Sequence, residues 1–245
     1  MKGNEEMAVS DSDIRILQLL ARFRFVPIET IRAECFPGQT PATARAYCSR
    51  RLKHLRGIGL TESQTVLGRA AVHYLTEEGA AFMGVEGGAG VGVRLAEYHH
   101  DLAVLGAYLA LRDRGDRPGL VTEREARSTC PDAEDNDYAI PITRPSGKQG
   151  VAWPDLVSGD VDALIGYEVE WTRKPKRRLI LLMHGYGYSP HYRIGVYLTV
   201  PDTHERVTEA AADANASLMA RGLGRPILVR PLADITGPHG QEAAS

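Results

Sequence analysis

Residues 84 to 93 read GVEGGAGVGV, with five glycines in ten positions. Glycine loses more backbone freedom on ordering than any other residue, so a stretch this rich in it sustains neither a helix nor a strand. One hydrophobic core cannot run through such a segment. The stretch therefore predicts two cores: a domain over 8–83, a linker over 84–93 and a second domain over 94–233, with 234–245 as a disordered tail. A chain of 245 residues is long enough to bury both.

The bulk charge says little about partners. Lysine plus arginine total 29 against 31 aspartates and glutamates, a formal net charge of -2, so any surface for a polyanion has to be sought locally. Three cysteines, none in a CxxC pair, exclude a disulfide framework and a zinc ribbon, and predict reduced thiols. The opening MKGNEEMAVSDSD is acidic and lacks an apolar centre. No apolar run approaches the roughly 20 residues of a membrane span. Together these features predict a soluble, cytoplasmic protein with no membrane partner.

The first domain reads as helices followed by a hairpin. Ser10 or Ser12 can cap a helix whose stripe is Ile14, Leu17, Leu20 and Ala21. Pro27 resets the chain, and a short helix over 29–36 closes at Pro37-Gly38. Thr40 or Thr43 then caps a third helix, with Ala44, Tyr47, Cys48, Leu52 and Leu55 inward and GIG at its end. Two extended segments, 60–67 and 70–76, are joined by Gly68-Arg69, and TEEGAAFMG adds a capped helix. Three helices and a hairpin are the pattern of a winged helix-turn-helix.

Charge within that pattern is uneven. From residue 40 to 70 the cations are Arg45, Arg50, Arg51, Lys53, Arg56 and Arg69, and the one carboxylate is Glu62. A helix that enters a major groove needs such side chains for phosphates and base edges. Thr43, Arg45, Arg50, Arg51, Lys53, His54 and Arg56 on the third helix, with Arg69 at the hairpin tip, are therefore expected to meet double-stranded DNA.

The second domain reads as a mixed α/β sheet. A helix over 94–114 precedes strands over 119–127, 151–160 and 163–171, with an irregular loop over 130–150. A helix follows with Pro175 in its first turn, then a strand over 193–200, a helix capped by Asp202 and a last short strand. Glu168 and Glu170 share one strand face, opposite Tyr167, Val169 and Trp171. Five cations follow at once: Arg173, Lys174, Lys176, Arg177 and Arg178. Lying against a helix N-terminus, they sit where the dipole disfavours positive charge, which suits an external anion.

Pro154-Asp155, a short gap and Glu168-Val169-Glu170, on a helix–three strands–helix–strand order, resemble the PD-(D/E)xK nuclease superfamily. The resemblance implies a restriction-endonuclease-like domain in which Asp155 and Glu168 hold Mg²⁺, charge on the scissile phosphate is neutralised and water is activated. The lysine of that motif falls on Glu170, a departure that Lys174 or Lys176 would have to repair. The catalytic candidates are thus Asp155, Glu168, Glu170 and Lys174. Lys176 and Arg177 are expected on the DNA backbone. Glu123, Glu125, His99, His100 and Asp101 are candidates to extend the pocket. Adjacent histidines on a helix diverge by about 100°, which argues against a zinc site at His99 and His100. No GxSxG or phosphate loop is present.

From about residue 11 to 200 the chain also resembles the replication-relaxation family of plasmid and integrated-element proteins. The features that carry this are the basic third helix, GRAAVHYLTEEG, HHDL, the Pro-Asp pair, and EVEWTRK with a helix reaching Tyr186. The resemblance implies a DNA-binding accessory or regulatory protein with a degenerate nuclease-like domain. Two alternatives stay open: an active Mg²⁺-dependent endonuclease or nickase, and a transcription regulator whose second domain senses a ligand or forms a homodimer.

Overall fold

The computed structural model describes residues 9–85, 92–115, 119–129, 136–143, 146–224 and 226–237. Most of the expected linker (86–91), residues 238–245 of the expected tail and Cys130 lie outside the described residues, whereas 234–236 of that tail are helical rather than disordered. The chain is mixed α/β and divides into two units, Met1–Asp101 and Leu102–Ser245.

In the first unit, Ser10 Oγ accepts the Asp13 N–H at 3.4 Å while Asp13 Oδ2 accepts the Ser10 N–H at 2.8 Å. This reciprocal cap starts α1 (Asp11–Arg22), which buries Ile16, Leu17 and Leu20. β1 (Val26–Pro27) and α2 (Ile28–Cys35) follow. Thr40, rather than Thr43, caps α3 (Pro41–Gly57), with Pro41 as its first residue. Tyr47, expected inside from its spacing, is 39% exposed, because Ala44, Cys48, Leu52 and Leu55 already fill the inward side.

β2 (Thr61–Gln64) and β3 (Val72–Leu75) pair antiparallel, Thr61 opposite Leu75. β1 adds to the far edge of β3, giving the order β1-β3-β2. A two-residue strand leaves no periodic trace, so β1 is invisible in the sequence. Thr76 caps α4 (Glu77–Met83), which ends on Gly84 at φ +66°. Cys35 and Cys48 are free and buried, and burial pushes their thiols up to about 12 and about 11. Such thiols pack rather than react.

The division between units lies inside α5 (Leu95–Asp113) rather than at the glycine-rich stretch. The start of α5 packs on the first unit: Tyr98 stacks on Phe25 at 5.4 Å, and Arg24 pairs with Glu97.

The expected strand over 119–127 is cut short. β4 is only Val121–Thr122, and Glu123–Thr129 is helix α6. The cause is a local cap. Thr122 Oγ1 accepts the Glu125 N–H, and Glu125 Oε2 accepts the Thr122 N–H. The expected loop over 130–150 contains β5 (Ile140–Thr143), which forms a separate hairpin with β6 (Gln149–Ala152). Pro154, which has no N–H to give a ladder, separates β6 from β7 (Leu156–Ser158), so the expected single strand over 151–160 serves two sheets.

β8 (Leu164–Glu170), α7 (Lys176–Tyr188), β9 (Tyr192–Thr199), α8 (Pro201–Ala220), β10 (Ile227–Pro231) and α9 (Ala233–Thr236) complete the unit. Val200, not Asp202, is the N-cap of α8, with Pro201 as its first residue. The main sheet runs β10-β9-β8-β7-β4. β4, β7 and β8 are antiparallel neighbours, whereas β8, β9 and β10 are parallel.

Register fixes the two faces. Gly166 lies opposite Gly195, and Glu168 opposite Tyr197. A Cβ on Gly166 would lie 2.5 Å from the Tyr186 ring and one on Gly195 2.9 Å from it, so this is the face covered by α7. Ile165, Tyr167, Ile194 and Val196 point the other way by strand alternation.

Candidate functional site

The outer face of α3 gathers cations. At about 100° per residue, Arg45, Ser49, Lys53 and Arg56 fall within one quadrant, which adjoins that of the buried Ala44, Cys48, Leu52 and Leu55. Arg45, Arg50, Lys53 and Arg56 are exposed, and none has an ion pair among the described residues. The Arg50 guanidinium lies 4.4 Å from the centre of the Tyr47 ring, which stiffens it without neutralising it. Arg56 Nη1 donates to Ser63 Oγ at 3.2 Å, tying α3 to β2. Thr43 is exposed in the first turn and shares a 2.9 Å hydroxyl contact with Thr40. His54 is half-buried, its Nε2 enclosed without a partner.

Arg51 does not belong to this face. Its Nε donates to Asp13 Oδ1 at 2.8 Å and its Nη2 to Asp13 Oδ2, and Asp13 is fully buried. Burial would raise the Asp13 pKa, but hydrogen bonds from Arg51 and Ser10 outweigh it and hold the carboxyl below its usual value. Arg51 is the counter-ion of α1. Nothing local in the sequence signals this pairing, because the two residues lie 38 positions apart.

Arg69 lies in the β2–β3 turn, where its N–H donates to Val66 O at 3.0 Å. Leu67 in the same turn is 60% exposed at φ +53°, a left-handed conformation unusual for leucine. Sequence reasoning does not single out Leu67, and it places Tyr47 on the wrong side. Tyr47's spacing three residues before Arg50 is the signal that could have found its role.

The second concentration of charge is in the other unit. Asp155 immediately precedes β7, and its Oδ2 accepts the Val169 N–H of β8 at 2.7 Å. Glu168 and Glu170 are buried at the end of β8. Tyr186 on α7 donates its hydroxyl to Glu168 Oε1 at 2.9 Å. Lys174, in the connection before α7, donates to Glu170 Oε1 at 2.6 Å. Thr203 at the start of α8 donates to the Glu170 backbone carbonyl at 2.7 Å.

The electrostatics are mutual. Burial, then repulsion from Asp155, pushes Glu168 up to about 8, with Lys174 pulling the other way. Burial would lower the Lys174 pKa, but Glu168, Glu170 and Asp155 outweigh it and hold it above the ordinary lysine value. One ammonium therefore sits among three acidic side chains, of which Glu168 is the one that holds its proton to higher pH.

Each carboxylate already has a hydrogen-bond donor from the chain, and among the described residues no three His, Cys, Asp or Glu side chains form a group that could hold a metal ion. The pair that the resemblance assigns to Mg²⁺, Asp155 and Glu168, is thus engaged by the Val169 N–H and the Tyr186 hydroxyl. An ion at Asp155 and Glu168 would compete with Lys174 for the same negative charge.

The other candidates are engaged elsewhere. Lys176, expected on DNA, pairs with Asp213 at 2.9 Å and Glu209 at 3.4 Å on α8, whereas Arg177 is exposed. Glu123 pairs with Arg127 at 2.6 Å, and Glu125 caps α6. His99 meets the edge of Tyr98, and Asp101 lies 3.9 Å from Arg24.

Comparison with protein-family models, with curated proteins and with solved structures finds no significant match. Among the described residues no helix is long and apolar enough to cross a membrane.

Proposed function

We propose that the chain is a double-stranded-DNA-binding accessory or regulatory protein, of the kind that serves a plasmid or integrated mobile element, and that its first unit reads DNA as a winged helix. The carrying observation is the exposed set Arg45, Arg50 and Lys53 on α3, which has no acidic partner among the described residues. The order α1-β1-α2-α3-β2-β3, with a sheet in the order β1-β3-β2, supports the same reading. In it α3 lies along the major groove and the β2–β3 turn, with Leu67 and Arg69, reaches an adjacent groove or phosphate.

Salt dependence tests this. Arg45→Ala combined with Lys53→Ala should lower affinity for a duplex and reduce the slope of log affinity against log salt by about 2, one for each phosphate no longer neutralised. An unchanged slope in a folded double variant would show that this face does not meet phosphate.

Around the main sheet, α5, the strands β4, β7 and β8, α7 and β9 support a nuclease-like scaffold, with α6 and the β5–β6 hairpin inserted after β4, but the acids favour a structural role. Lys174 supplies the positive charge that a metal would otherwise bring. A second reading, a metal-dependent endonuclease, draws on the same residue, since Lys174 stands beside Glu170, where the resemblance puts the missing lysine.

A further inference from the structure

The face of the main sheet away from α7 carries a feature that DNA reading does not use. A cavity of about 390 Å³ opens between the parallel strands β8, β9 and β10, the end of α5 and α9. Ile194, Val196, Leu228 and Leu111 give it apolar walls. Three arginines, Arg114, Arg193 and Arg230, line it as well, with no carboxylate among its lining residues. Neither Arg193 nor Arg230 has an ion pair among the described residues. Arg114 Nη2 donates to the Asp234 and Ile235 carbonyls, which fixes its position between α5 and α9 and leaves its charge uncompensated. Tyr167, 3% exposed, also lines the cavity, and its hydroxyl is buried with no hydrogen-bond partner.

Three guanidinium groups without acidic partners surround one small cavity and leave it a net positive field. An anionic guest would offset that field. We propose that this cavity binds a small amphiphilic anion, an apolar body ending in a carboxylate or phosphate group. The oxyanion meets the planar guanidinium donors of Arg193 and Arg230, for which carboxylate and phosphate oxygens are well matched. The apolar body lies on Val196 and Leu228. The volume falls within the range of small-molecule sites. A nucleic-acid backbone fits less well, because it offers no apolar body for these walls.

The test is direct binding of 8-anilinonaphthalene-1-sulfonate, a fluorescent amphiphilic anion, to the full chain without DNA. One equivalent should bind with enhanced fluorescence and be displaced by octanoate or octyl phosphate. Which of the two displaces at lower concentration identifies the head group. Arg193→Gln with Arg230→Gln should weaken binding at least tenfold, and Leu228→Glu should abolish it. These positions are exposed, and circular dichroism checks that the variants fold. Unchanged affinity in the double glutamine variant would overturn the proposal. So would displacement by octanol as effective as by octanoate, or by inorganic phosphate or single-stranded DNA alone. Because no step requires duplex DNA, failure here leaves the reading of α3 untouched.

Discussion

Arg51 shows how one side chain can carry the right chemistry in the wrong place. It sits beside Arg50 in a basic run, yet it is directed inward onto Asp13, which Ser10 also holds. Removing one member of a buried ion pair strands the other, which costs about 3–5 kcal/mol, and some residual exposure of Arg51 favours the lower end. Arg51→Met should therefore destabilise the first unit by about 3 kcal/mol in urea denaturation. In the folded fraction it should leave the salt slope of DNA binding as it was. A stable Arg51→Met protein with a reduced slope would return Arg51 to the DNA face. The pair also sets an acid limit. The folded Asp13 pKa lies below its usual value, so its stabilisation is present above about pH 4 and is lost as pH falls through the lowered value. In Asp13→Asn that acid limb of the stability profile should disappear.

Among the elements, the β8–β9 pair and α7 depend on two absent side chains. Gly166 and Gly195 face each other across the ladder and leave a slot that the Tyr186 ring fills. That slot places the hydroxyl on Glu168. Gly195→Ala should force the ring outward and cost about 1–3 kcal/mol by overpacking, measured by chemical denaturation. Tyr186→Phe keeps the ring but removes the donor, and should cost about 1 kcal/mol. Equal stability of Gly195→Ala and the wild-type chain would mean that the slot has room to spare. This arrangement is half legible in the sequence. Alternation places Glu168 and Glu170 on one face, and helical spacing extends α7 to Tyr186. Nothing local reveals that Tyr186 meets Glu168, because that hydrogen bond joins residues 18 positions apart, one on a strand and one on the following helix. Elements with strong periodicity or caps, such as α1, α3 and β9, are readable. β4 with α6 is not, because a Thr122–Glu125 cap overrides an alternating pattern that also suits a strand.

On the scale of the whole chain, a net charge of -2 conceals two opposite local arrangements. On α3, cations are displayed without acids, which leaves a field for an external polyanion. Around β8, Asp155, Glu168, Glu170 and Lys174 are drawn together, with Glu168 and Glu170 buried, so part of that field is offset within the protein. Composition cannot distinguish the two, since only the fold decides which charges meet. The contrast predicts a molecule that holds DNA and leaves it intact. Incubated with supercoiled plasmid and millimolar Mg²⁺, the full chain should retard the plasmid in a gel without producing relaxed or linear forms. Lys174→Ala should lose stability rather than merely change DNA handling, because it leaves Glu170 buried without its ammonium donor. Relaxed plasmid that appears with the wild-type chain and vanishes with Asp155→Ala would reverse the assignment. It would mean that an incoming ion displaces Lys174 from the carboxylates and that the compensated cluster is the resting form of a cutting site.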